Sequence, residues 1–215
     1  MSKNSTPQLT HTPLPIIANV TRVVTRTIDR ITGDRSDYPL LVAAACVEAL
    51  KKFNIQARIM YGQVAWIEVL EDMQIVWAGC WGENFHFWVE TEFAEVVDLN
   101  TSVAFRKKSH GLPHLKALYS PPILWSVEVP KFYRYVAQGI AELELTIEQD
   151  QRRLALVLQE IEEKCGRAHL DPETELDFPN EPILCPGRQL LDDSRQTFKH
   201  FDRALSVHGI PKAPI

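Results

Sequence analysis

Residues 54–101, NIQARIMYGQVAWIEVLEDMQIVWAGCWGENFHFWVETEFAEVVDLNT, are dense in β-branched and aromatic side chains and interrupted by short polar clusters. That pattern predicts consecutive strands over IQARIMYG, VAWIEVL and MQIVWAGCW, with Glu71 and Asp72 as a polar turn between the second and third. NFHFWVETEF and AEVVDLNT continue it. Phe85, Phe87 and Val89 alternate with His86, Trp88 and Glu90, which puts His86 and Trp88 on one sheet face.

Working outward, Ile16, Ile17, Val20, Val23, Val24, Ile28 and Ile31 recur at three- and four-residue intervals and predict a helix from Pro15 to Ile31, ended by Gly33. A second helix is expected over Leu40 to Phe53, with Ser36 and Asp37 as candidate N-caps and Pro39 in its first turn. After Asn100 the basic residues Arg106, Lys107 and Lys108 and several prolines suggest an irregular connection, then a strand at Ile123 to Val129. Lys131 to Gly166 has no proline and is rich in Glu, Gln, Arg and Leu, so a long amphipathic helix is expected there. An acidic, proline-containing loop leads to a last helix near Arg188 to Val207. The expected organisation is a mobile arm at 1–14, an α+β domain at 15–129, and a helical extension at 130–215. Its antiparallel sheet should carry the N-terminal helices on one face.

The 215 residues, 45% of them hydrophobic, suffice for one sizeable core. With 28 acidic against 23 basic residues the chain has no broad basic field, so nucleic acid is not an expected partner. The longest apolar runs, such as LLVAAACV at 40–47, fall far short of the roughly 20 residues of a membrane span. The N-terminal MSKNSTPQLTHTPLP lacks the basic start and apolar run of a secretory signal. Cys46, Cys80, Cys165 and Cys185 are widely spaced, which suggests reduced thiols in a cytoplasm. His110 and His114 have the spacing of helical metal ligands, but Gly111 and Pro113 argue against that helix. No zinc site is expected, and without GxGxxG or GxxxxGK spacing no nucleotide cofactor is expected either.

The order helix, NIQARIMYG, strand pair, FHFWVE, VVDLNT resembles the core of the transglutaminase-like superfamily of papain-type thiol enzymes, over about residues 33–101. The resemblance implies His86 as the base and Asp98 as its orienting carboxylate, brought together from neighbouring antiparallel strands. It also implies a cysteine at the start of the preceding helix, where free N–H groups and the helix dipole favour a thiolate. That position falls near Ser36 and Asp37, and neither is a cysteine.

The nucleophile therefore has three candidates. If the second helix starts near Pro39, Cys46 is a buried hydrophobe two turns inside it; if it starts near Ala44, a Cys46-His86-Asp98 triad is complete. Ser36 would need a well-aligned base. Cys80 should share a face with His86 unless Gly82 bends the strand. Asn84 is a candidate oxyanion donor, and Trp66, Trp77, Trp81 and Trp88 could line a peptide groove. The leading expectation is a domain that has lost its nucleophile and keeps its cleft for peptide or protein binding. An active thiol enzyme for amide cleavage or acyl transfer is the first alternative. The second is an assembly protein that forms a homodimer through the long C-terminal helix.

Overall fold

The computed structural model describes residues 10–106, 115–143, 148–166, 170, 181–186 and 196–215. Helix α1, Leu14–Thr32, begins with proline in its first turn and ends where the Gly33 N–H bonds the Asp29 carbonyl at 2.8 Å, with Gly33 at φ 83°. That left-handed geometry suits glycine. Helix α2, Pro39–Lys51, starts at Tyr38, which makes no side-chain cap. Ser36 and Asp37 are not its caps: they lie in a short 3-10 turn, Arg35–Asp37, where the Asp34 side chain accepts the Ser36 N–H at 3.0 Å. The fully buried Arg35 side chain holds this turn, bonding Asp29, Glu181, Ser102 and the Leu99 carbonyl.

Strand β1 runs unbroken over Ala57–Leu70, merging the two strands expected there. Gly62 does not end a strand. It gives room to another one, since a Cβ at Gly62 would lie 2.2 Å from the Val136 carbonyl oxygen. β2 (Ile75–Cys80) pairs with Val64 to Val69 of β1, and β3 (His86–Thr91) pairs with Ala57 to Gly62. They follow one another along a single edge of β1. The other edge takes the remaining partners of β1: β5 (Ala117–Tyr119) and β7 (Tyr133–Ile140), whose register spans Met60 to Trp66. Beyond β3 come β4 (Val96–Asp98), β6 (Ile123–Ser126) and β8 (Ile183–Leu184). Pairing is antiparallel except between β6 and β8.

The long helix expected from Lys131 to Gly166 is shorter and later: β7 occupies its first part, and α3 covers Glu148–Lys164. YRYVAQGI carries the β-formers Tyr and Val, and pairing along β1 overrides the helix-forming composition that begins after it. Helix α4 spans Gln196–His208, and residues 188–195 of the predicted last helix lie outside the described residues.

One sheet face is covered by helices. Ile17, Val20, Val24 and Ile28 of α1, most of α2, and Val157 and Ile161 of α3 pack with Ile59, Val89, Val97, Ile123 and Trp125. The apolar side of α3 is thus used within its own chain. Phe201 and Ala204 of α4 cover Ile67 and Val69. The opposite face gathers Val64, Trp66, Ala78, Leu124 and Tyr133, with Ala104 from the 3-10 turn Thr101–Arg106. The architecture is α+β. Of the arm expected at 1–14, residues 1–9 lie outside the described part, but Thr12 is fully buried and bonded to Glu95 through both its N–H (2.9 Å) and its hydroxyl (2.6 Å).

Candidate functional site

His86 and Asp98 meet on the face without helices. Val89 pairs with Val97 and Glu90 with Val96, so Asp98 lies diagonal to His86 across β3 and β4, within reach of long side chains. The His86 Nε2 donates to Asp98 Oδ2 at 2.8 Å; His86 is 5% exposed and Asp98 2%. The Asp98 carboxylate accepts two further bonds: the Asn100 N–H reaches Oδ1 at 3.0 Å and the Tyr135 hydroxyl reaches Oδ2 at 2.9 Å. The last contact measures the curl of the sheet. β7 and β4 are separated by β1 and β3, which in a flat sheet would put them about 14 Å apart.

Cys80 joins them from β2. On β1, the partner moves two residues from Val64 (facing Cys80) to Gly62 (facing His86), while the chain itself advances six. The excess of four is even, so the interruption at 81–85 leaves both side chains on one face. Cys80 is partly exposed, shares this face with His86 and lies close enough to act on the imidazole's charge, and the Trp66 ring is 5.9 Å from the imidazole. Burial works against a charge on His86, but the Asp98 charge, the hydrogen bond to Asp98 and the nearby Cys80 outweigh it and lift the pKa to about 9. At neutral pH the ring is an imidazolium.

The other candidates stand elsewhere. Because α2 starts at Pro39, Cys46 is two turns inside the helix, 1% exposed, packed on the sheet face opposite His86. Burial, then the nearby Cys165, Asp98 and Glu95, push its thiol far above the usual range. A Cys46-His86-Asp98 triad is not assembled, since the sheet lies between. Cys165 is buried in the same core, its pKa pushed up to about 12 by burial. Ser36 is 9% exposed, with a buried hydroxyl that has no hydrogen-bond partner among the described residues. Asn84 is exposed on the 81–85 interruption. Trp66 and Trp88 line the site face, whereas Trp77 packs beside α4 and donates to the Pro211 carbonyl at 3.0 Å.

Among the described residues no group of three or more His, Cys, Asp or Glu is placed to hold a metal ion; His110 and His114 lie outside those residues. No helix among the described residues is long and apolar enough to cross a membrane. Sequence reasoning missed Tyr135, which it placed on a helix. The alternation of Tyr133 and Tyr135 ahead of Ala137 was the available strand signal.

No family model matches the chain, and no curated protein matches it. One solved structure, described as "The crystal structure of genomics APC5867", is similar over 76% of this chain and 85% of its own, at 14% identity and a TM-score of 0.40. A likeness that loose carries no argument about fold or activity.

Proposed function

We propose that this chain is a transglutaminase-like thiol enzyme that cleaves or transfers acyl groups at amide bonds, with Cys80 as nucleophile, His86 as proton carrier and Asp98 as its orienting carboxylate. The observation that carries the reading is the placement of these three side chains on one sheet face, with His86 bonded to Asp98 and the Cys80 thiol the accessible member. The FHFWVE and VVDLN stretches support the same base and carboxylate, while the nucleophile comes from a strand instead of a helix start.

In the reacting form the sulfur of Cys80 is the thiolate and the proton is kept on His86. The thiolate's electron pair forms a bond to the substrate carbonyl carbon, and the carbonyl π pair moves to oxygen. Collapse breaks the C–N bond, and the departing amine takes its proton from His86. Water or a second amine then attacks the thioester, gives a proton to His86 and releases the thiolate. Asp98 holds the ring and balances its charge through both halves.

Iodoacetamide labelling of the native protein at pH 7 with peptide mapping tests this. Cys80 is expected to react faster than a free thiol, and His86→Ala to remove that advantage. Cys80 reacting no faster than a free thiol overturns the proposal. A second reading, a peptide-binding cleft without turnover, is favoured by one observation: the segment where the resemblance expects a cysteine holds Ser36. Under it, His86→Ala leaves peptide binding unchanged and Cys80 shows no enhanced labelling.

A further inference from the structure

Two polar side chains reach the Asp98 carboxylate, and both address the same oxygen. His86 Nε2 lies 2.8 Å and the Tyr135 hydroxyl 2.9 Å from Oδ2, while Oδ1 is taken by the Asn100 N–H. We propose that Tyr135 is a positioning residue that shares the Asp98 carboxylate with His86 and so sets how firmly that carboxylate grips the imidazole. This rests on the reading of His86 and Asp98 as base and orienting carboxylate.

An acceptor oxygen that receives two hydrogen bonds divides its electron density between them, so each is weaker than it would be alone. The Tyr135 ring is fixed for this task, with Trp88 edge-on at 5.1 Å and Tyr133 at 6.2 Å. Its hydroxyl remains a donor across the working range, because burial, the Asp98 charge and Tyr133 keep the phenol protonated well past its usual pKa. The neighbouring Tyr133 gives its hydroxyl to the Pro122 carbonyl instead. Among the described residues the imidazole has Asp98 from β4, Cys80 from β2 and the Trp66 ring from β1 around it, and Tyr135 is placed to act on it through Asp98.

The position matters for the chemistry. A carboxylate that grips too firmly keeps the imidazole proton from the leaving amine, and one that grips too loosely lets the ring turn away. A second donor on Oδ2 sets the balance without itself touching substrate.

The test is an NMR titration of the His86 ring nitrogens in the full chain. Tyr135→Phe, which keeps the ring packing, is expected to raise the His86 midpoint by at least about half a unit. Tyr133→Phe is expected to leave it where it is. In an Asp98→Asn background, Tyr135→Phe is expected to produce no shift, because its route to His86 is gone. If the Phe variant folds poorly, 3-fluorotyrosine at 135, a stronger donor with the same shape, is expected to lower the midpoint. A midpoint unmoved or moved the other way by these changes, or a shift that persists in the Asp98→Asn background, overturns the proposal. Cys80 labelling is read separately. A midpoint that moves while Cys80 stays unreactive sinks the thiol-enzyme reading alone, and fast labelling with an unmoved midpoint sinks only the role of Tyr135.

Discussion

Two carboxylates lie buried three residues apart on either side of one short strand, and they serve opposite ends. Glu95, on the helix-covered side, accepts the Thr12 N–H and hydroxyl, the Thr91 hydroxyl (2.8 Å) and the Trp125 indole (3.2 Å). Every donor is neutral and fixed. The Asp98 carboxylate, on the other side, accepts three bonds, but one of its donors is an imidazole that changes charge and shares its sheet face with a half-buried thiol. The cysteines repeat the contrast: Cys46 is sealed among apolar side chains, and Cys80 stands beside His86 with access to solvent. Full satisfaction by groups that cannot titrate makes a structural anchor. One partner that titrates, with an open side, is what the proposed site adds.

That contrast can be broken most forcefully at Glu95. Glu95→Ala strands four buried donors and is expected to cost about 4 kcal/mol of unfolding free energy in urea titrations. The labelling rate of Cys80 in the folded fraction should not change. If the rate falls with the stability, the two sides are not separable.

The Asp98 side should respond to pH. His86 has a folded pKa of about 9 against an ordinary 6.5, so its contribution is fully present below 6.5 and is lost as pH rises through 9. The loss is expected to be on the order of 3 kcal/mol across that window. Comparing denaturation of wild type and His86→Gln at pH 6 and pH 9.5 checks it: the gap between them should close at the higher pH. An equal gap at both values would show that the His86–Asp98 bond carries no charge.

The smallest effects are expected from the thiols. Cys46→Ala should cost about 1 kcal/mol, from lost packing in a filled helix face, and leave alkylation unchanged. Cys80→Ala should change stability by less than about 1 kcal/mol, being partly exposed, yet abolish the fast alkylation. Mass spectrometry of the labelled protein separates the two outcomes.

Much of this was readable before any coordinates. The 3.6-residue repeat of α1 and the alternation around His86 are local signals, and the structure has a helix and a strand there. The contact between His86 and Asp98 follows from two strands being neighbours. What was not legible depended on distant parts of the chain. Tyr133–Ile140 is a strand because β1 offers it an edge, and nothing within residues 131–166 announces that edge. Tyr135 reaches Asp98 only because the sheet curls. That Cys80 shares a face with His86 was expected for an uninterrupted strand; the strand is in fact interrupted at 81–85, and the face is kept because the register gains an even number of residues, which no local pattern around Gly82 reveals. The capping of α2 was misjudged for a related reason: Arg35 is buried by residues 99, 102 and 181, and that anchorage draws Ser36 and Asp37 into a separate turn.

The indole of Trp125 is fully buried and gives its N–H to the same Glu95 oxygen that holds the Thr12 hydroxyl. Its emission should therefore depend on whether the chain ahead of α1 is docked. With the other four tryptophans replaced by phenylalanine, the molecule would carry its own optical gauge of that docking, readable in a stopped-flow mixer without any attached dye.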